Sequence, residues 1–327
     1  MKNLIYPILL SICFSFLLIS CEENFSPKTE IVEKQFLYGI ITADDQTNPQ
    51  KQYVVLSEIY DVEGYDPSTS QINHNIKDAV VTIKVNNRSS ILTPDSITTN
   101  DPNKPKQYIY SADMKINSYD SIMISAVLPS GRVLSSRTRV PKYVNLTFSY
   151  PFNHGLTTNL NQVIPVYSWT IYWTNPERLH LLFPKLQIQY YQKINGIEVF
   201  KTIEVPNKYI TRNNKKEPYY ITYTRGEEVS YDFEAIDYAM TNLSAGDSAK
   251  SNYRIVNLLF QLNEFDAPLS NYYSSTNGYL DAYSVRSDES VYNNVSGGGG
   301  VFGSKFINNY IKDLDGPYVK SFGYVTQ

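Results

Sequence analysis

Three histidines, two cysteines and thirty-two carboxylates are the groups of this chain that could do chemistry, and their spacing limits what that chemistry is. His74, His154 and His180 are scattered, and none stands in a His-x-x-x-His or His-Glu-x-x-His spacing that would put two imidazoles on one helix face. Glu227-Glu228 and Asp288-Glu289 offer the two carboxylates a glycosidase needs, but adjacent acids in a chain this rich in them read as solvated loops. Asp313-Leu314-Asp315-Gly316 has the look of a calcium-loop fragment, yet Ile311 and Phe322 fall where the first and twelfth ligands would be, so a turn is expected. Gly297-Gly298-Gly299-Gly300 is followed by Ser304-Lys305, the wrong order for a phosphate-cradling loop. A backbone held at positive φ against a sheet is the expectation there. No Gly-x-Ser-x-Gly elbow occurs. The expected sets of catalytic residues, metals and cofactors are therefore empty.

Cys21 is the exception. Met1-Lys2-Asn3 is a short basic start, Leu4 to Ile19 is sixteen almost wholly apolar residues, and Leu18-Ile19-Ser20-Cys21 gives way at once to Glu22-Glu23. The apolar run is short of the roughly 20 residues that span hydrocarbon as a helix, so it reads as an export signal, residues 1–20. Leu-Ile-Ser-Cys resembles the lipobox of bacterial lipoproteins, in which the thiol is acylated and the peptide is cut before the cysteine. The resemblance makes Cys21 the lipidation site and the first residue of the mature chain. Cysteine is required because its thiolate is nucleophilic enough to take the glyceryl group near neutral pH. Cys13 would leave with the signal, so no disulfide is expected and core burial must hold the fold. The acidic pair after Cys21 resembles a Bacteroidota signal for display on the outer face of the outer membrane. Surface exposure is the expectation, with a periplasm-facing orientation as the alternative.

The elements that would position any further site are β-strands. Twenty-nine tyrosines and fourteen phenylalanines among 327 residues favour sheet, and a formal charge of −3 leaves no excess of cations for nucleic acid. After a tether, residues 21–34, six runs rich in Val, Ile, Tyr and Thr follow: Gln35–Thr42, Gln52–Tyr60, Ala79–Val85, Gln107–Met114, Asp120–Leu128 and Arg132–Val140. Breaker-rich stretches separate them, including Asn86–Ser90 and the hairpin signal Pro129-Ser130-Gly131. Residues 35–141 are thus expected to form an immunoglobulin-like β-sandwich. Residues 142–327 are expected to form a second β-rich domain with small helices and a Gly-rich loop. Its strands include Val163–Trp173, Leu186–Gln192, Glu198–Val205, Tyr219–Thr224 and Arg254–Phe265, the last half-exposed, with Val256, Leu258, Phe260 and Leu262 inward. The spacing of Phe233, Ile236, Met240 and Leu243 predicts a helix over about 233–244 with Asp232 as N-cap, and Asp266-Ala267-Pro268 opens a shorter one.

Tyr38-Gly39-Ile40-Ile41, Tyr119-Asp120-Ser121-Ile122 leading to Val140-Pro141, Tyr272-Tyr273, and Tyr292-Asn293-Asn294-Val295 before Gly-Gly-Gly-Val-Phe-Gly resemble the Bacteroidota outer-membrane lipoprotein family known as domain of unknown function 4249. The resemblance implies an accessory lipoprotein with a non-catalytic binding role, partnered by the membrane through its lipid and by a TonB-dependent receptor in nutrient uptake. A surface adhesin or envelope structural protein is the alternative. Tyr190-Tyr191, Tyr219-Tyr220 and Tyr272-Tyr273 could stack on sugars or simply pack. Asp95-Ser96-Ile97, Asp120-Ser121-Ile122 and Asp247-Ser248-Ala249 resemble acceptors of Bacteroidota O-glycosylation, though strand-edge use of Asp-Ser explains them equally well.

Overall fold

The computed structural model describes residues 34–46, 49–59, 75–97, 106–149, 156–159, 162–165, 167–174, 180–275 and 292–326. Cys21, His74, His154 and Asp288-Glu289 lie outside them. The fold is mainly β, as the composition suggests.

Seven strands come first: β1 (Lys34–Asp44), β2 (Gln50–Ile59), β3 (Val80–Val85), β4 (Arg88–Ile97), β5 (Gln107–Met114), β6 (Ser121–Val127) and β7 (Val133–Arg139). Their order is β1-β2-β5-β4 followed by β4-β3-β6-β7. This is the A-B-E-D and C-F-G arrangement of an immunoglobulin-type sandwich, with β4 shared by both sheets. The sharing is visible in the register. Arg88 to Leu92 pair with β3, whereas Thr93 to Ile97 pair with β5, and Pro94 sits at the crossing, where a missing N–H is tolerated. Alternate residues point inward, Leu37, Ile41, Val54, Leu56, Val81, Ile83, Ile122, Ile124 and Leu134 among them, and form one buried cluster. Tyr110 reaches across it. Its hydroxyl donates to the Ile76 carbonyl and accepts from the Ala79 amide, tying the chain that enters β3 to the opposite sheet.

The following strands are β8 (Leu146–Phe148), β9 (Leu156–Asn159), β10 (Gln162–Pro165), β11 (Ser168–Trp173), β12 (Leu182–Ile194), β13 (Ile197–Val205), β14 (Lys208–Arg212), β15 (Lys215–Tyr219) and β16 (Glu228–Asp232). Helix α1 (Phe233–Asn242), β17 (Tyr253–Phe265), helix α2 (Ala267–Ser275), β18 (Gly299–Lys312) and helix α3 (Gly316–Ser321) complete the fold. Trp169, Ile171 and Trp173 of β11 pack with Leu186 and Ile188 of β12 and Leu258, Phe260 and Leu262 of β17, and α1 adds Ile236, Ala239 and Met240 to form a second core. Asp232 occupies the N-cap position of α1 in extended geometry, but its side chain makes no capping hydrogen bond.

Strand β17 departs from a half-exposed strand at two points. A register shift opposite Gln189 and Tyr190 turns Ile255, rather than Val256, toward Leu258. Its second face is covered too, so Asn257 and Asn263 are buried. The run Val163–Trp173 is divided into β10 and β11, and β15 ends at Tyr219, where a strand through Thr224 was expected.

Strand β18 ties the two cores together. It runs antiparallel to β17 and parallel to β1, so the order β13-β12-β17-β18-β1-β2 is continuous. One face carries Phe302 and Phe306 into the first core, while Tyr310, farther along it, packs against the second. The opposite face places Val301 beneath α2, where Leu269, Tyr272, Tyr273, Phe183 and Phe265 form a third cluster.

Candidate functional site

The densest buried polar chemistry among the described residues lies where β7, β17, β18 and α2 meet. The Asp266 carboxylate is fully enclosed and has four donors. Its Oδ1 accepts from the Leu269 amide at 2.9 Å, which makes Asp266 the N-cap of α2 and satisfies an amide that the helix leaves open. Its Oδ2 accepts from the Ser304 amide at 2.6 Å, from the Ser304 hydroxyl at 2.9 Å, and from the Thr138 hydroxyl. Burial pushes the Asp266 carboxyl up to about 6, opposed by the hydrogen bonds from Thr138, Leu269 and Ser304.

Two residues earlier, Glu264 is also fully buried. Its Oε1 meets His180 Nδ1 at 2.9 Å, and its Oε2 has no hydrogen-bond partner among the described residues. Asn308 extends the polar seam by accepting from the Val144 amide at 3.1 Å. The seam thus joins the strand that closes the first sandwich to the strand and helix that build the rest. Ser304 meets a carboxylate, and its hydrogen bonds position β18 against Asp266. Among the described residues, no group of three or more His, Cys, Asp and Glu side chains is placed to hold a metal ion.

The glycine run opens β18. Gly297 and Gly300 have φ of +84° and +113°, and a Cβ on either would fall 2.1 Å from the Val133 or Leu37 carbonyl oxygen. Glycine is needed because backbone passes against backbone at these points. Ser304 and Lys305 lie inside β18 and are buried.

Compared with known protein-family models, the chain finds no match, and no curated protein matches it in sequence.

The remaining candidates separate by exposure. Tyr272 and Tyr273 are buried, edge to face at 5.4 Å, and belong to the cluster under α2. Tyr190 is buried, while Tyr191 lies half-buried beneath Arg254 at 4.5 Å. Only the Tyr219-Tyr220 pair presents both rings to solvent. Glu227 and Glu228 are exposed at the start of β16, and Asp315 takes the N-cap position of α3, a short helix that the residue pattern does not announce. Of the three Asp-Ser sites, Ser96 and Ser248 are exposed and Ser121 is half-buried. The aspartates have structural work. Asp95 accepts from Lys51, Asp120 from Asn86 and Asn117, and Asp247 from the Ala249 amide.

Sequence reasoning found Asp266 only as a helix opener. Thr138 lies 128 residues before it and Ser304 38 after it, so no local pattern links the three.

Proposed function

We propose that the protein is a lipid-anchored envelope protein with a non-catalytic binding role, acting beside a TonB-dependent receptor of the outer membrane. The observation that carries this reading is Leu18-Ile19-Ser20-Cys21 after a sixteen-residue apolar run, with Glu22-Glu23 directly behind it. Strand β1 begins at Lys34, thirteen residues after Cys21, a tether that extends to at most about 45 Å. Among the described residues no helix is long and apolar enough to cross a membrane, so the reading assigns attachment to lipid at Cys21. Acylation of that residue with more than one chain gives stable anchoring, where a single chain would be marginal.

The test is an affinity pull-down from the native outer membrane in mild detergent, run beside a Cys21→Ala control. Recovery of one stoichiometric TonB-dependent barrel with the wild type is the expected result. A membrane-bound wild type that brings down no transporter would remove the accessory role and favour an adhesin.

A further inference from the structure

The outward faces of β3, β4, β6 and β7 are unlike a usual solvent face. Register puts Val80 opposite Val127 and Val127 opposite Val133, so three valines form a row across three strands. They are 55%, 42% and 47% exposed. The next row is Ile91, Thr82, Ser125 and Ser135, with Ile91 68% exposed and the three hydroxyl residues half-buried, and the row after it is Lys84, Met123, Arg137, with Met123 54% exposed. Arg139 follows on the same face, packed with Lys142 around the Tyr119 ring. Single exposed apolar residues are ordinary, but three valines aligned by strand pairing, with Ile91 at their corner, mark a surface that meets something. The surface is apolar at one end and cationic at the other. Arg132 and Asp78 are both exposed beside the valine end.

The position of the first described strand bears on what that surface meets. A Cβ on Gly298 would lie 2.3 Å from the Gln35 carbonyl oxygen and 2.6 Å from Leu134 Cδ2, so the start of β1 and the start of β7 are separated by a single backbone. Ser296 and Ser135 exchange two backbone hydrogen bonds at the same place. The start of β1 therefore lies at the valine end of the face. A second copy of the chain fits poorly. Packed by a two-fold axis, the cationic row would oppose either itself or the valine row, and both leave charge without a partner.

We propose that this face lies against an anionic bilayer surface, with Val80, Val127 and Val133 at the hydrocarbon boundary and Lys84 and Arg137 at the phosphates. The proposal rests on the lipid-anchor reading for its geometry: acylated Cys21 would bring the valine end down first. Apolar side chains at the acyl boundary and cations at headgroup level are the two contributions that hold peripheral proteins on such surfaces.

Vesicle flotation tests it with the polypeptide that begins at Glu22, which carries every described residue and no Cys21 thiol. The folded polypeptide should float with phosphatidylcholine vesicles containing phosphatidylglycerol and not with phosphatidylcholine alone. Lys84→Gln with Arg137→Gln should lower partition by about tenfold or more, since each cation near such a surface is worth about 1 kcal/mol. Val80→Thr, Val127→Thr and Val133→Thr together should do the same, and both variants should keep the wild-type unfolding midpoint because the side chains are exposed. A folded wild type that ignores anionic vesicles, or flotation that neither variant reduces, would overturn the proposal. So would capture of this face by an acidic protein without vesicle binding. Because the polypeptide lacks Cys21, a negative result leaves acylation untouched, and an unmodified Cys21 in native membranes would refute the anchor without changing the flotation.

Discussion

Asp266 shows how one side chain can serve three elements at once. It caps α2, closes on β18 through Ser304, and reaches β7 through Thr138. Enclosure has an electrostatic cost, which appears as a carboxyl pushed up to about 6. The unfolded chain ionises the same group near 3.9. Between about pH 4 and 6 the folded state therefore holds a proton that the unfolded state has released, and stability rises as pH falls through that window. Above pH 6 both states are ionised and the contribution is flat, with the folded state less stable by on the order of 3 kcal/mol than when Asp266 is protonated. Asp95 behaves oppositely and elsewhere. The hydrogen bond from Lys51 holds it at about 2, so its contribution disappears only as pH falls from the ordinary range toward that value. Asp266→Asn should abolish the rise between pH 6 and 4 in chemical denaturation, and a variant that keeps it would assign the slope to another group. Nothing near Asp266 in the chain forecasts this. Asp-Ala-Pro is legible as a helix start, but enclosure depends on partners that only the sheet order brings together.

Among the elements, legibility followed burial on one face. Gln107–Met114 is predicted and found with the same bounds, and the five other strands of the first sandwich foreseen from alternation differ by two residues or fewer at each end. Strand β4 is not legible because only Leu92 on it is buried, so it has no alternation to read, and its start reads as a breaker stretch. The start of strand β18 reads as a Gly-rich loop, with a β-like run only after Lys305. It is buried on both faces through Ser304, Lys305 and Phe306, and strands of that kind show no period of two. Its glycines allow the close approach to β1 and β7. Gly300→Ala should therefore cost about 3 kcal/mol or more in unfolding free energy, because the added Cβ would meet the Leu37 carbonyl oxygen at 2.1 Å. Gly131→Ala, also at positive φ but with open space around it, should cost about 1 kcal/mol. Equal losses at the two sites would mean that backbone conformation alone, and not the β1 contact, sets the requirement.

At the scale of the whole molecule, two cores meet along β18 and the polar seam beside it. The first gathers residues from β1 to β7 and takes Val295, Phe302 and Phe306 from the other end of the chain. The second is built from Val144 onward. Neither cysteine lies within the described residues, so these cores are held by apolar burial and hydrogen bonds. The start of β1 lies beside an apolar sheet face whose far end is cationic, the surface proposed to meet the membrane. The anchor depends on the chemistry of Cys21. The most direct measurement is the intact mass of the protein extracted from its native membrane, with the amino-terminal peptide sequenced by fragmentation. The account predicts a chain that begins at Cys21 and carries a diacylglyceryl group on sulfur and an acyl group on the new amine. A chain that retains residues 1–20, or one that carries an unmodified Cys21 thiol, would contradict it.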